Sequence, residues 1–351
     1  MRITSVHVRR HGGEGSGPMG PAGRAVTSRE GALVTLTDDR GNTGVGEASP
    51  LPGYSPDTHD EALSAIESAA PSLTDLELPD ALADIAFDAP SPSARFALES
   101  ALLDLLGRRQ GVAARTLLGA PRAVAVSGYA QASSAGELVT AVQALLRAGM
   151  GTVKVKVGGG SFETDRAAVA RLRGELGDAW TLRLDANGAW SLDEARANLE
   201  SLAPYDVSLI EQPVEGADVL LLGETAIPWA ADESLLLPAV RERLLDPKDR
   251  TARLGCAALV LKPALLGGLL ACRAIAQRAA PLRLGIIVTH LFDGPVALAA
   301  CRAFARSLCV TPLASGLGPH AGLAAWPTHE FAAGPWVGDD DAPGLGVDLA
   351  P

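Results

Sequence analysis

The chain has 351 residues, 47% of them hydrophobic but only 4% aromatic, so its core is built mainly from Ala, Leu and Val, in one large domain or two ordinary ones. A net charge of −11 argues against a partner whose phosphates need basic patches, which excludes nucleic acid. No apolar run reaches the ~20 residues that span a bilayer, which excludes a membrane-embedded role. Cys256, Cys272, Cys301 and Cys309 are scattered without a CxxC pair and read as buried free thiols. The segment MRITSVHVRRHGG has no apolar core of a signal peptide, and the expectation is a cytoplasmic protein. An anionic substrate would be drawn in by local cations, not by the global field.

In chain order, residues 1–10 alternate as a strand, 11–23 read as a Gly- and Pro-rich flexible loop, and 31–37 and 43–47 complete an antiparallel meander. The stretch 46–55, GEASPLPGYS, is a rigid loop with Tyr54 near its tip. Helical spacing recurs over Thr58–Ala70 and Ser93–Gly107. Residues 1–120 therefore form a small α+β domain, with Pro121 at the boundary.

Beyond Val124, short apolar strands alternate with Ala/Leu/Arg helices. The strands are Val124–Tyr129, Thr152–Val157, Leu182–Leu184, Val207–Ile210, Trp229–Ala231, Ala258–Leu261, Leu284–Val288 and Cys309–Pro312. The helices between them include Ala135–Ala148, Thr164–Leu176, Leu192–Leu202, Pro238–Leu245, Gly268–Ala279 and Pro295–Ala305. Eight such units over residues 121–313 predict a closed parallel α/β barrel. A doubly wound sheet fits less well, because no GxGxxG follows the first strand. Lys156 precedes Gly158–Gly160, so this is not a P-loop either. The tail, 314–351, is expected to pack back on the N-terminal domain.

The strand ends carry the chemistry. They read Lys154-Val155-Lys156, Arg183-Leu184-Asp185, Glu211-Gln212-Pro213, Asp232-Glu233-Ser234 and Lys262-Pro263. From Lys156 through Asp185, Glu211 and Asp232 to Lys262 the spacings are 29, 26, 21 and 30 residues, each about one β/α unit. Each dipeptide alone is a common strand end or solvated edge; together they converge on one barrel mouth. Three carboxylates in one pocket repel one another, and a hard divalent cation relieves that repulsion. Oxygen-only ligands favour Mg2+, or Mn2+ in its place, over Zn2+. Such an ion stabilises the charge formed when the α-proton of a carboxylate substrate is removed. A lysine whose pKa is lowered serves as the base. Alternation turns Lys154 and Lys156 the same way, so that each helps hold the other deprotonated, and places Arg183 beside Asp185 as an anion clamp.

This set resembles the enolase superfamily, and within it the muconate-lactonising branch, which carries lysines on both sides of the barrel. The resemblance spans nearly the whole chain. It implies a modified TIM barrel, (β/α)7β, beneath an N-terminal α+β capping domain. It further implies metal ligands Asp185, Glu211 and Asp232, with Lys156 and Lys262 as the catalytic pair. The 46–55 loop, Arg183 and Lys262-Pro263 are similar to those of o-succinylbenzoate synthases. This likeness implies a hydro-lyase of menaquinone biosynthesis acting on a small carboxylate, with Lys156 as base and acid and Lys262 on the opposite ring face. Lys154, Arg183, Asn187, Tyr54, Thr289 and His290 are the expected substrate contacts. N-succinylamino-acid racemase, dipeptide epimerase and muconate-type cycloisomerase are the alternatives within the branch, and a non-catalytic metal-binding relative is the alternative outside it. No Asp-x-Asp follows the eighth strand, which disfavours epimerisation of dipeptides. The oligomeric state stays open.

Overall fold

The computed structural model describes residues 2–19, 26–74, 89–119, 123–310, 312–327, 329–331, 333–338 and 342–349. Strands β1 (Ile3–Met19), β2 (Val26–Asp38) and β3 (Thr43–Ala48) form an antiparallel meander in that order. Helix α1 (His59–Leu73) starts at a capping box between Thr58 and Glu61. Helix α2 (Pro92–Gln110) is capped by Ser91, with Pro at its first turn, and ends at left-handed Gly111. From Phe96 to Gly107 every residue of α2 is buried, because it lies between the meander and the rest of the molecule. A Cβ on Gly46 would collide with the Ala97 carbonyl, so glycine there lets sheet and helix meet backbone to backbone.

The short α3 (Ala114–Leu118) leads into a second sheet of seven strands, β4 (Gly128–Ala130), β5 (Thr152–Lys156), β6 (Thr181–Asp185), β7 (Val207–Glu211), β8 (Trp229–Ala231), β9 (Cys256–Leu261) and β10 (Gly285–Val288). All neighbours are parallel and in chain order. Helices α4 (Ala135–Arg147), α5 (Phe162–Leu176), α6 (Leu192–Leu202), α7 (Pro238–Leu245), the short α8 (Pro263–Leu266), α9 (Leu269–Ala279) and α10 (Pro295–Ser307) alternate with or follow the strands. The expected capping box of α6, Ser191 with Glu194, is present. Leu209, Ala230, Ala258, Val260 and Ile287 form a small apolar cluster of their own inside the sheet's curl.

Two expectations need correction. The eighth barrel position is not Cys309–Pro312. Helix α10 runs on to Ser307, Cys309 and Val310 form a bend, and Pro312 has no N–H to give to a ladder. Residues 313–316 close the barrel instead. Leu313 N donates to Ile286 O (2.8 Å) and Gly316 N to Val288 O (3.0 Å), while Ser315 N donates to Ala125 O and Ser127 N to Ser315 O (both 2.8 Å). The second correction concerns 11–23. Residues 11–19 are strand, paired with β2 from His11↔Gly31 to Met19↔Val26, and 20–23 lie outside the described residues. The glycines there serve close approach: a Cβ on Gly13 would stand 3.0 Å from the Ala325 carbonyl.

That carbonyl belongs to the tail, whose 3-10 turn Ala321–Ala325 lies along β1. His11 stacks on Trp326, and Leu345 N donates to Asp104 (2.7 Å). The tail also touches the barrel, where Val337 N donates to Val124 O (2.9 Å). The expected boundary at Pro121 lies outside the described residues.

A buried polar hub joins meander and barrel. Arg29 is fully buried and donates to the carbonyls of Pro50 (3.0 Å), Phe292 (3.0 Å) and Ser49, 3.7 Å from Asp293. Glu47 accepts from Ser49 Oγ (2.6 Å) and from the N–H groups of Gly294 and Ala297, capping α10 from the neighbouring sheet. Burial, then Asp293, push its pKa up to about 7. The folded state therefore holds this proton more tightly than the unfolded chain. The stabilisation is complete below the ordinary glutamate pKa and is lost as pH rises through about 7. We expect the urea midpoint of the wild type to fall more between roughly pH 5 and 8 than that of Glu47→Gln. Parallel pH profiles of the two proteins would exclude this role.

Candidate active site

The register of the parallel ladder assembles the site. Lys156 pairs with Asp185 across β5 and β6, and Asp185 with Glu211 across β6 and β7, so the three stand in one row at the strand ends. Asp232 follows β8 and Lys262 follows β9. All five line one cavity of about 560 Å3. The carboxylate residues are almost entirely buried: Asp185 is 3% exposed, Glu211 2% and Asp232 5%.

Each acid meets an ammonium. Lys154 Nζ stands 3.1 Å from Asp185 and 2.9 Å from Glu211; Lys156 Nζ is 3.4 Å from Asp185; Lys262 Nζ is 2.6 Å from Asp232. The lysines diverge in consequence. Burial draws Lys154 down, but Asp185, Glu211 and Asp232 outweigh it and raise its pKa well above the ordinary lysine value. Lys262 is raised against burial by Asp232 and Glu233. Lys156 is lowered, chiefly by burial, with Asp185 opposing and the Lys154 charge assisting. Lys154 and Lys156 thus do not hold each other deprotonated; only Lys156 is drawn toward the neutral amine. Asp185 is lowered by its three lysines despite burial, whereas Asp232 is raised by burial and by Glu233. The arrangement sets a weakened ammonium on one side of the cavity and a reinforced one on the other, the chemistry of a base facing a fixed cation.

The other expected contacts divide. Tyr54 accepts from Lys262 Nζ, donates to Glu233 (2.8 Å) and lays its ring 4.8 Å from the ammonium. Asn187, at φ 44°, donates its backbone N–H to Asp185 (3.1 Å) and its amide to Glu233 (2.6 Å). Arg183 lines the cavity but spends Nη1 on the Ala314 carbonyl (2.7 Å), and Thr289 spends its hydroxyl on Gly316 O (3.1 Å). Both therefore hold the closing segment, which is occupation the anion-clamp reading of Arg183 did not include. His290 lines the cavity, and its Nδ1 accepts from Phe292 N (3.0 Å).

Sequence reasoning missed four residues. Tyr129, on β4, lines the cavity. Its place at the end of the first barrel strand was a usable signal. Gln212, at φ 39°, accepts from Asp232 N (2.8 Å) and Ser234 N (3.2 Å), tying β7 to the strand end that carries Asp232. Glu233 gathers Tyr54 and Asn187. His320 enters the cavity from the tail, where no periodicity marked it.

The donor set fits a hard divalent cation by its chemistry: three buried carboxylates on successive strand ends, with no thiolate or imidazole among them. Each of these carboxylates is turned toward an ammonium, and among the described residues no three acidic, His or Cys side chains are gathered as a ready ligand set.

The chain matches the family model for the enolase C-terminal domain-like fold over residues 137–351, and that for the MenC N-terminal domain over 22–105. It is 31% identical over 261 residues to the L-Ala-D/L-Glu epimerase of Bacillus subtilis, covering 71% of each chain. It is 28% identical over 320 residues to the o-succinylbenzoate synthase of Desulfotalea psychrophila, covering 81% of this chain and 84% of that one. The solved structure of a substrate-liganded complex of the L-Ala-D/L-Glu epimerase from Bacillus subtilis superposes with a TM-score of 0.85 over the full length of both chains, at 25% identity.

If the three carboxylates bind Mg2+, the ion stabilises the folded state by about 2.7 kcal/mol at a hundredfold excess over its Kd. We expect Mg2+ to raise the thermal midpoint of the wild type and to leave that of Glu211→Gln nearly unmoved. An equal rise in both proteins would remove Glu211 from the ligand set.

Proposed function

Because the chain belongs to the enolase superfamily, we propose that it dehydrates 2-succinyl-6-hydroxy-2,4-cyclohexadiene-1-carboxylate to 2-succinylbenzoate, as an o-succinylbenzoate synthase. One observation carries this choice over dipeptide epimerisation. The acids among the cavity's lining residues are Asp185, Glu211 and Asp232, all engaged by lysines, and the same lining includes the imidazoles of His290 and His320. A substrate ammonium would find no free counter-ion beside the two imidazoles, whereas an anionic arm would meet neutral groups there.

Lys156 Nζ, drawn toward the neutral amine, takes the proton from the carbon bearing the carboxylate. The same ammonium then delivers that proton to the departing hydroxyl. The C–O bond breaks, water leaves and the ring becomes aromatic, so one residue serves both steps. Lys262, held as the ammonium by Asp232, stabilises negative charge on the opposite face. Tyr54 holds Lys262 there and covers the cavity from the 46–55 loop. Asp185, Glu211 and Asp232 would hold Mg2+, or Mn2+ in its place, which supplies a Lewis acid for the substrate carboxylate. Racemisation of N-succinylamino acids is the second reading, since it asks for the same two lysines and the same anionic arm.

We expect Mg2+-dependent loss of the diene chromophore. Lys156→Ala should lower kcat by roughly 10²- to 10⁴-fold in a protein that still folds. Racemisation of N-succinylamino acids without dehydration would replace the substrate, and near-wild-type turnover by Lys156→Ala would overturn the assignment of the base.

A further inference from the structure

Resting on the reading above, we propose that His320 reads a carboxylate at the end of the substrate's flexible arm, with His290 as its partner. His320 lines the catalytic cavity, yet both its ring nitrogens are buried without a hydrogen-bond partner. Buried polar atoms in native proteins are overwhelmingly paired, and leaving one unpaired costs about 1–3 kcal/mol. One of the two is the N–H donor of the neutral ring, and an acceptor group from outside the chain would satisfy it. The ring stacks on His290 with centroids 3.8 Å apart and meets Phe292 edge-on at 5.8 Å.

The tautomers and the field favour an anion. Burial, then neighbouring cations, lower both imidazoles, so each is neutral near pH 7 with one N–H. His290 Nδ1 accepts from Phe292 N, which places the His290 proton on Nε2 and makes that nitrogen a donor. The charged groups acting on the pair are Lys154, Lys262, Arg29 and Arg302, all cations. Arg302 lies over the Phe331 ring at 4.5 Å and forms no salt bridge among the described residues. Neutral N–H donors in a positive field suit an acceptor with negative charge, and the terminal carboxylate of a succinyl arm is one.

Calorimetric titration in Mg2+ with 2-succinylbenzoate and with its arm methyl ester tests this on the wild type and His320→Phe, which keeps the stack and removes the nitrogens. The wild type should prefer the diacid by about tenfold or more, and His320→Phe should bind the diacid about tenfold more weakly and the ester as the wild type does. Should His320→Phe not fold, His320→Leu carries the same expectation. A preference unchanged in the variant overturns the proposal, as does a wild type that binds both compounds alike. Turnover of the hydroxydiene is scored separately. Loss of preference without any turnover keeps the subsite and rejects the reaction, whereas turnover with an unmoved preference does the reverse.

Discussion

The structure of the site depends on one contact, the Lys154 ammonium between Asp185 and Glu211. Two buried carboxylates on adjacent strands would destabilise the barrel mouth, and a cation between them offsets their repulsion. Removing one partner of such a cluster costs far more than a surface pair, because the remaining charges stay buried. The same ammonium acts along its own strand. Lys156 lies two residues on, faces the same cavity and feels that positive charge, which helps lower its pKa. Neutralising the acids and lowering Lys156, the proposed base, are thus one electrostatic arrangement. Lys262 stands apart because it has its own acid, Asp232, and so stays charged.

That arrangement requires every strand end to be at one height. The ladder register supplies this, since Lys156, Asp185 and Glu211 are direct Cα partners across neighbouring strands. Gln212 supplies it for Asp232, whose N–H it receives from the neighbouring strand. From above, Arg29 ties the backbone of Ser49 and Pro50 to that of Phe292, holding the loop that carries Tyr54 beside the turn that carries His290. Glu47 on β3 adds a second link, accepting from Gly294 and Ala297 beside the same turn.

Legibility in the sequence followed range. Strands β5 to β10 and their helices have short periods and capping residues, so Ser191 and Glu194 could be read directly as a helix start. Acids at strand ends one β/α unit apart could be read as one constellation because barrel topology converts that spacing into proximity. What failed was non-local. Residues 313–316 are bridges held between β10 and the chain at Ala125–Ser127, without apolar alternation of their own. The glycines of 11–19 look flexible until the tail packs on them, Ala325 against Gly13 and Ala321 against Gly15 and Gly17. His320 has no neighbour pattern at all; its meaning comes from stacking on His290, thirty residues earlier in the chain.

The most direct test of the central claim is the pH dependence of kcat/KM for the wild type and Lys154→Met in Mg2+. If Lys156 is the base proposed above, it takes the proton as the neutral amine, so activity falls on the acid side of its pKa. Losing the Lys154 charge removes one influence that lowers Lys156 and leaves Asp185 to raise it. The acid limb of Lys154→Met should therefore lie at higher pH than that of the wild type. A limb that stays in place or moves to lower pH would contradict the claim that Lys154 prepares the base.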